Sequence, residues 1–155
     1  MIAFFVFSAT QICAQQPRVV KWNEVQELLS QRSDTTYVVN FWATWCKPCV
    51  AEIPSFQKIH QRYAQQKVRV VLVSVDFAKE FRTRVVPFAQ KMNIESLVLL
   101  LNEPDANAWI NKIDSGWSGA VPATLVFNNR FGKRTFSESL LTYADIEQKI
   151  VEIGR

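Results

Sequence analysis

Histidine is almost absent from this chain of 155 residues: there is one, His60, together with three cysteines, Cys13, Cys46 and Cys49. That scarcity argues against a structural zinc site and against covalent haem attachment. A structural zinc site needs a second ligand pair beside a two-cysteine motif, and only Cys13, in an apolar leader, and His60 are left to supply it. Covalent haem attachment needs His directly after the second cysteine, where the chain has Val50. Internal repeats and low-complexity stretches are also missing. The net charge of +4 is spread thinly. Its nearest approach to a cluster, residues 79–84, is interrupted by Glu80 and Phe81 and reads as a solvated face, which argues against a nucleic-acid partner. No metal or bound cofactor is expected.

What is present is apolar material and one motif. With 48% hydrophobic and 21% charged residues the chain can bury a real core as a single domain. Trp45-Cys46-Lys47-Pro48-Cys49 follows the apolar run Tyr37-Val38-Val39-Asn40-Phe41-Trp42 and precedes a helical pattern. The order strand, cysteine pair, helix is the order a dithiol redox site requires. The thiolate is the reactive form of cysteine, and a helix N-terminus, with unpaired N–H groups and partial positive charge, stabilises an anion there. Cys46 stands where that effect is largest. Cys49 lies about one turn further on the same face, near enough to close a disulfide with Cys46 or to attack a mixed disulfide. A peroxidase pattern P-x-x-x-T-x-x-C would place Pro at Val39 and Thr at Ala43, and neither is present. Two buried structural cysteines are the bland alternative.

Residues 1–12 carry no charge and lead into Ile12-Cys13-Ala14. This is the pattern of a secretory signal peptide over residues 1–14, too short for a comfortable membrane span and ending at a small residue, although it lacks the usual Lys or Arg near Met1. A lipid anchor on Cys13 is disfavoured by Ile12, where a small residue is preferred. The domain is then residues 15–155, exported to a periplasmic or other extracytoplasmic compartment, with Cys46 and Cys49 as its only cysteines. One cysteine pair in an exported protein is either a staple or a catalyst.

The remaining pattern is α/β. Residues 21–32 have helical spacing, 37–42 read as a buried strand, and Val50, Ile53, Phe56, Ile59 and Tyr63 mark a long helix with Pro54 inside it, expected to bend its axis. Residues 68–75 form a second buried strand, completing a βαβ unit. Helix is expected at 88–92, strand at 97–101 and helix at 106–113. A hairpin follows, 123–127 with 133–136, its turn supplied by Asn and Gly, and Thr142 begins the last helix.

With these elements in place, Asn40-Phe41-Trp42-Ala43-Thr44-Trp45-Cys46-Lys47-Pro48-Cys49, Glu52, Pro54 and Val121-Pro122-Ala123-Thr124 resemble the thioredoxin superfamily, and within it the exported TlpA/ResA-type thiol-disulfide oxidoreductases. The resemblance implies a thioredoxin fold, a central mixed β-sheet flanked by helices, with a central αβ insertion between Val75 and Ala120. It implies Cys46 as the exposed nucleophile, Cys49 as the buried resolving thiol, Glu52 as an acid that handles protons, and a cis Val121–Pro122 bond opposite the sulfurs. Trp45, Lys47, Pro48, Val121 and Pro122 are then the substrate-binding residues. Lys47 can equally be a solvated helix residue, Glu52 a surface ion-pair partner and Trp42 plain core. The implied activity is reduction of disulfides in exported proteins, apocytochrome c among them, by a monomer recharged by a membrane thiol donor. Pro48, where strong oxidants of the superfamily carry His, tilts the reading towards reduction. An oxidase, an isomerase or a non-catalytic redox sensor on the same fold remain open.

Overall fold

In the computed structural model, residues 16–154 are described; the leader and Cys13 lie outside them. The elements run β1 (Arg18–Val20), α1 (Trp22–Ser30), β2 (Thr36–Trp42), α2 (Lys47–Arg62), β3 (Val68–Ser74), α3 (Val86–Lys91), β4 (Leu97–Leu101), α4 (Ile110–Ile113), β5 (Ala123–Asn128), β6 (Lys133–Ser137) and α5 (Tyr143–Ile153). One six-stranded mixed sheet has the order β1-β4-β3-β2-β5-β6. The first four are parallel, and β5 and β6 continue antiparallel from β2.

All seven residues of β2 are buried, because helices cover both faces of the strand. Its period of two sorts the side chains. Val38 and Trp42 pack with Ile53, Phe56 and Ile59 of α2 and Ile146 and Ile150 of α5. Tyr37, Val39 and Phe41 point to the opposite layer, with Trp22 and Val25 of α1 and the insertion residues Trp109, Ile113 and Trp117. There Phe41 lies 4.8 Å from Trp117 and 6.0 Å from Trp109, ring centre to ring centre. Trp109 and Trp117 are thus insertion packing. By the same alternation Asn40 falls on the α2 face.

Three features differ from the sequence expectations. The edge strand β1 was not anticipated: three residues have no pattern of their own, and the exposed edge of β4 supplies the partner. The helix expected over 106–113 divides into a 3-10 turn, Ala106–Ala108, and the single turn α4. The charged stretch before α3 is ordered as a 3-10 turn, Ala78–Glu80, and a π turn, Phe81–Val85, which buries Val85. Helix α2 runs through Pro54, and Thr142 caps α5 by accepting from the Asp145 N–H.

Candidate active site

The turn after β2 delivers Cys46 to the start of α2 as its N-cap residue. Cys46 and Cys49 are joined as a disulfide with Cα atoms 5.3 Å apart. The Cys49 N–H points at Cys46 Sγ across 3.3 Å. When the pair is reduced, that donor faces a Cys46 thiolate, and no acidic residue in the first turn of α2 opposes it. Pro48 has no N–H to leave unpaired there. Cys46 keeps 6% of its surface exposed and Cys49 none. The nucleophile expected to be exposed is therefore accessible only relative to its partner; the Val121 carbonyl oxygen lies 3.6 Å from its sulfur, and the neighbouring Trp45 is 58% exposed.

Val121–Pro122 is cis. The loop that delivers it is braced from both sides. Gly119 has φ of 91°, a conformation strained for any residue with a side chain, and a Cβ there would come within 2.8 Å of Ile110 Cδ1, which would have to move. The Trp117 indole N–H donates to the Ala120 carbonyl at 2.8 Å, and Glu138 accepts from the backbone N–H groups of Ser118 and Ala120 at 3.1 and 3.2 Å. Hydrogen bonds from Ser118, first its hydroxyl and then its N–H, hold the Glu138 carboxyl below the usual range. Val121 is half-buried and Pro122 buried, while Lys47 and Pro48 are exposed on the first turn of α2.

Behind the cysteines, Glu52 is 1% exposed. Three residues past Cys49 on α2, it faces the sheet rather than solvent, so it is not a surface ion-pair partner. Oε1 accepts from Asn40 Nδ2 at 2.7 Å and Oε2 from the Leu141 N–H at 2.9 Å. Burial is the largest influence and pushes its carboxyl above the ordinary value, against the pull of the Leu141 N–H and then the Asn40 amide. Asn40 Nδ2 also reaches Thr124 Oγ1 at 3.1 Å, whereas Asn40 Oδ1 has no partner.

Asp76 is a further residue of the site, unnoticed in the sequence. It is 2% exposed, and its carboxylate accepts from the Thr44 N–H at 2.9 Å, the Thr44 hydroxyl at 2.6 Å and the Ser74 hydroxyl at 2.7 Å. The signal is positional: parallel register sets Trp42 beside Ser74, so the residues two beyond each meet. His60 lies on α2 well past the site. Trp42 is wholly buried and packs 5.1 Å from Phe88, which makes it core. A concavity of about 580 Å³ lined by Thr36, Tyr63, Lys67 and Phe131 belongs to the opposite end of β2 and shares no residue with the dithiol. Among the described residues no group of three or more His, Cys, Asp or Glu is placed to hold a metal, and no helix is long and apolar enough to cross a membrane.

The fold and the cysteine pair at a helix start place the chain in the thioredoxin-like α/β class. It belongs to the AhpC/TSA family, whose profile matches residues 7–131. Within that family it lacks the Pro and Thr of the peroxidase pattern, having Val39 and Ala43 instead. It is similar to the thioredoxin-like protein YneN of Bacillus subtilis, 29% identical over 113 residues, covering 73% of this chain and 62% of that protein. The thiol-disulfide oxidoreductase ResA of Geobacillus thermodenitrificans is 24% identical over 115 residues, 74% of this chain and 61% of ResA. The matches thus span about three fifths of these relatives' lengths. A thioredoxin-family thiol:disulfide interchange protein from Chlorobium tepidum superposes with a TM-score of 0.67 at 22% identity, covering 79% of this chain and 81% of that one. At that identity the likeness bears on the fold.

Proposed function

We propose that this chain is a thiol-disulfide oxidoreductase that reduces disulfides of proteins outside the cytoplasm. The carrying observation is the Cys46–Cys49 pair at the N-terminus of α2, with the Cys49 N–H on Cys46 Sγ and buried Glu52 one turn further along the helix. In the reduced enzyme the Cys46 thiolate attacks one sulfur of the substrate disulfide; a mixed disulfide forms and the other substrate sulfur leaves as thiolate. Cys49, losing its proton towards Glu52, then attacks Cys46 Sγ. The Cys46–Cys49 disulfide forms and the second substrate sulfur departs. Two electrons pass from the protein dithiol to the substrate, and an external thiol donor restores the dithiol.

The name of ResA, a thiol-disulfide oxidoreductase, supports this activity, and the leader pattern of residues 1–14 supports an extracytoplasmic setting. Disulfide-bearing exported proteins are the substrate class; apocytochrome c, a membrane thiol donor and a monomeric state extend the resemblance. Pro48 favours the reducing direction. Sustained turnover of a protein disulfide with excess dithiol tests the reading, because a redox sensor or a structural bridge gives at most one stoichiometric exchange. The dithiol potential against glutathione tests direction: about −270 mV supports a reductase and about −120 mV an oxidant.

A further inference from the structure

Among the described residues, Phe77 and Trp45 are the most exposed large apolar side chains, at 70% and 58%. Scattered single exposures are ordinary. These two are not scattered. Trp45 follows Thr44 and Phe77 follows Asp76, and Thr44 and Asp76 are fastened by two hydrogen bonds, with the Val75 N–H on the Trp42 carbonyl at 2.8 Å just below. The turn that carries Cys46 and the loop after β3 are therefore held side by side, each presenting one aromatic ring to solvent. Lys79 lies over the Phe77 ring, 5.7 Å from its centre. Lys47 is exposed on the first turn of α2. The ion pairs among the described residues involve Arg18, Lys67, Arg84 and Arg130, so neither Lys47 nor Lys79 has a carboxylate at ion-pair distance. The nearest carboxylate in sequence, Glu80, is engaged by Arg84 at 3.3 Å.

We propose that Phe77 and Lys79 form a second wall of the substrate surface, opposite Trp45 and Lys47, and that it takes a protein segment whose cystine is flanked by apolar and acidic side chains. This rests on reading Cys46 and Cys49 as an exchange site. Two aromatic rings supply contact area at low entropic cost, and the two ammonium groups, neither neutralised by a carboxylate, supply charge complementarity that discriminates between partners more than it adds affinity. The Asp76–Thr44 fastening gives the arrangement its rigidity.

The test uses two cystine peptides identical except for Glu or Lys beside each half-cystine, both with a flanking Leu, turned over by the full chain with excess dithiol. The wild type is expected to favour the Glu peptide in kcat/KM by about threefold or more at low salt, with the preference fading as salt is raised. Lys79→Glu should abolish or invert the ratio. Phe77→Ala should raise KM for both peptides by about tenfold with a smaller effect on kcat. Arg69→Glu, at the other end of β3, should keep the wild-type ratio. Equal turnover of the two peptides by the wild type, or equal losses on both in Lys79→Glu, overturns the proposal. Unchanged kinetics in Phe77→Ala together with loss of a concentration-dependent dimer would assign the patch to a second copy and also overturn it. Failure of the wild type to turn over either peptide or hydroxyethyl disulfide refutes instead the exchange site on which the proposal rests.

Discussion

Replacing Glu52 by glutamine keeps the shape of a side chain that is 1% exposed and removes its titration. The ionised carboxylate accepts two hydrogen bonds, from Asn40 and Leu141, each worth about 1.5–3 kcal/mol when one partner is charged. Burying the charge costs several kcal/mol, and burial wins, since the carboxyl titrates above its ordinary value. The folded protein therefore holds this proton where the unfolded chain has released it. With the folded value raised, the stabilisation is complete below the unfolded value near 4.5 and is lost as pH rises through the folded value. Glutamine has no such loss. It keeps the Leu141 N–H through its carbonyl, and its amide can donate to Asn40 Oδ1 once the Asn40 carboxamide turns over, a turn that gives up the Asn40 Nδ2 contact with Thr124 Oγ1. The cost at low pH should be about 1 kcal/mol. Across the window the wild type should lose ground to Glu52→Gln at up to about 1.4 kcal/mol per pH unit. Urea unfolding of the oxidised proteins between pH 4 and 9 isolates this, because the disulfide silences both thiols and other groups cancel in the difference. A flat difference, or a wild type that gains on the variant as pH rises, refutes the dominance of burial. In the reduced enzyme Glu52→Gln should also slow exchange near neutral pH and alter the whole pH–rate profile, which belongs to the carboxyl and thiols together.

Asp76→Ala should cost about 2–4 kcal/mol in urea unfolding and weaken exchange, because it strands three donors of the active-site turn, whereas Asp76→Asn should cost about 1 kcal/mol or less, since an amide can replace every contact once the Thr44 hydroxyl rotates. Equal losses in the two variants would contradict a tether made of hydrogen bonds. Trp117→Ala, which opens a hole between Phe41, Trp109 and Phe136, should cost about 3–5 kcal/mol, and Trp117→Phe less than half of that; a loss below 1 kcal/mol for alanine would remove the insertion from the core. In the reduced protein, iodoacetamide should modify Cys46 at least about tenfold faster than Cys49, read by peptide mapping; comparable rates would contradict their different burial.

Long apolar segments were legible from the sequence because burial on both sides leaves a continuous signature: β2, β3 and β4 lie where their Val, Leu and aromatic runs place them. Cys46 and Cys49 were legible from spacing and from their place between strand and helix. β1 was not, because an edge strand of three residues is created by its neighbour rather than by its own pattern. The turns before α3 were not, because Phe81 and Val85 sit among charges that mask their inward face. Asp76 escaped notice since its meaning depends on parallel register across 32 positions, which no local window contains. The pairing of Asn40 with Glu52 follows from two periods read together: strand alternation turns Asn40 towards α2, and helical spacing turns Glu52 towards the sheet.

The division of labour between the two sulfurs is tested most directly by trapping. Reduced Cys49→Ser and Cys46→Ser variants are each mixed with a disulfide-bearing protein, quenched, and resolved without reductant. If Cys46 attacks and Cys49 resolves, Cys49→Ser accumulates a mixed disulfide through Cys46 that dithiothreitol releases, and Cys46→Ser accumulates none. Equal trapping by both variants, or trapping by Cys46→Ser alone, contradicts the assignment.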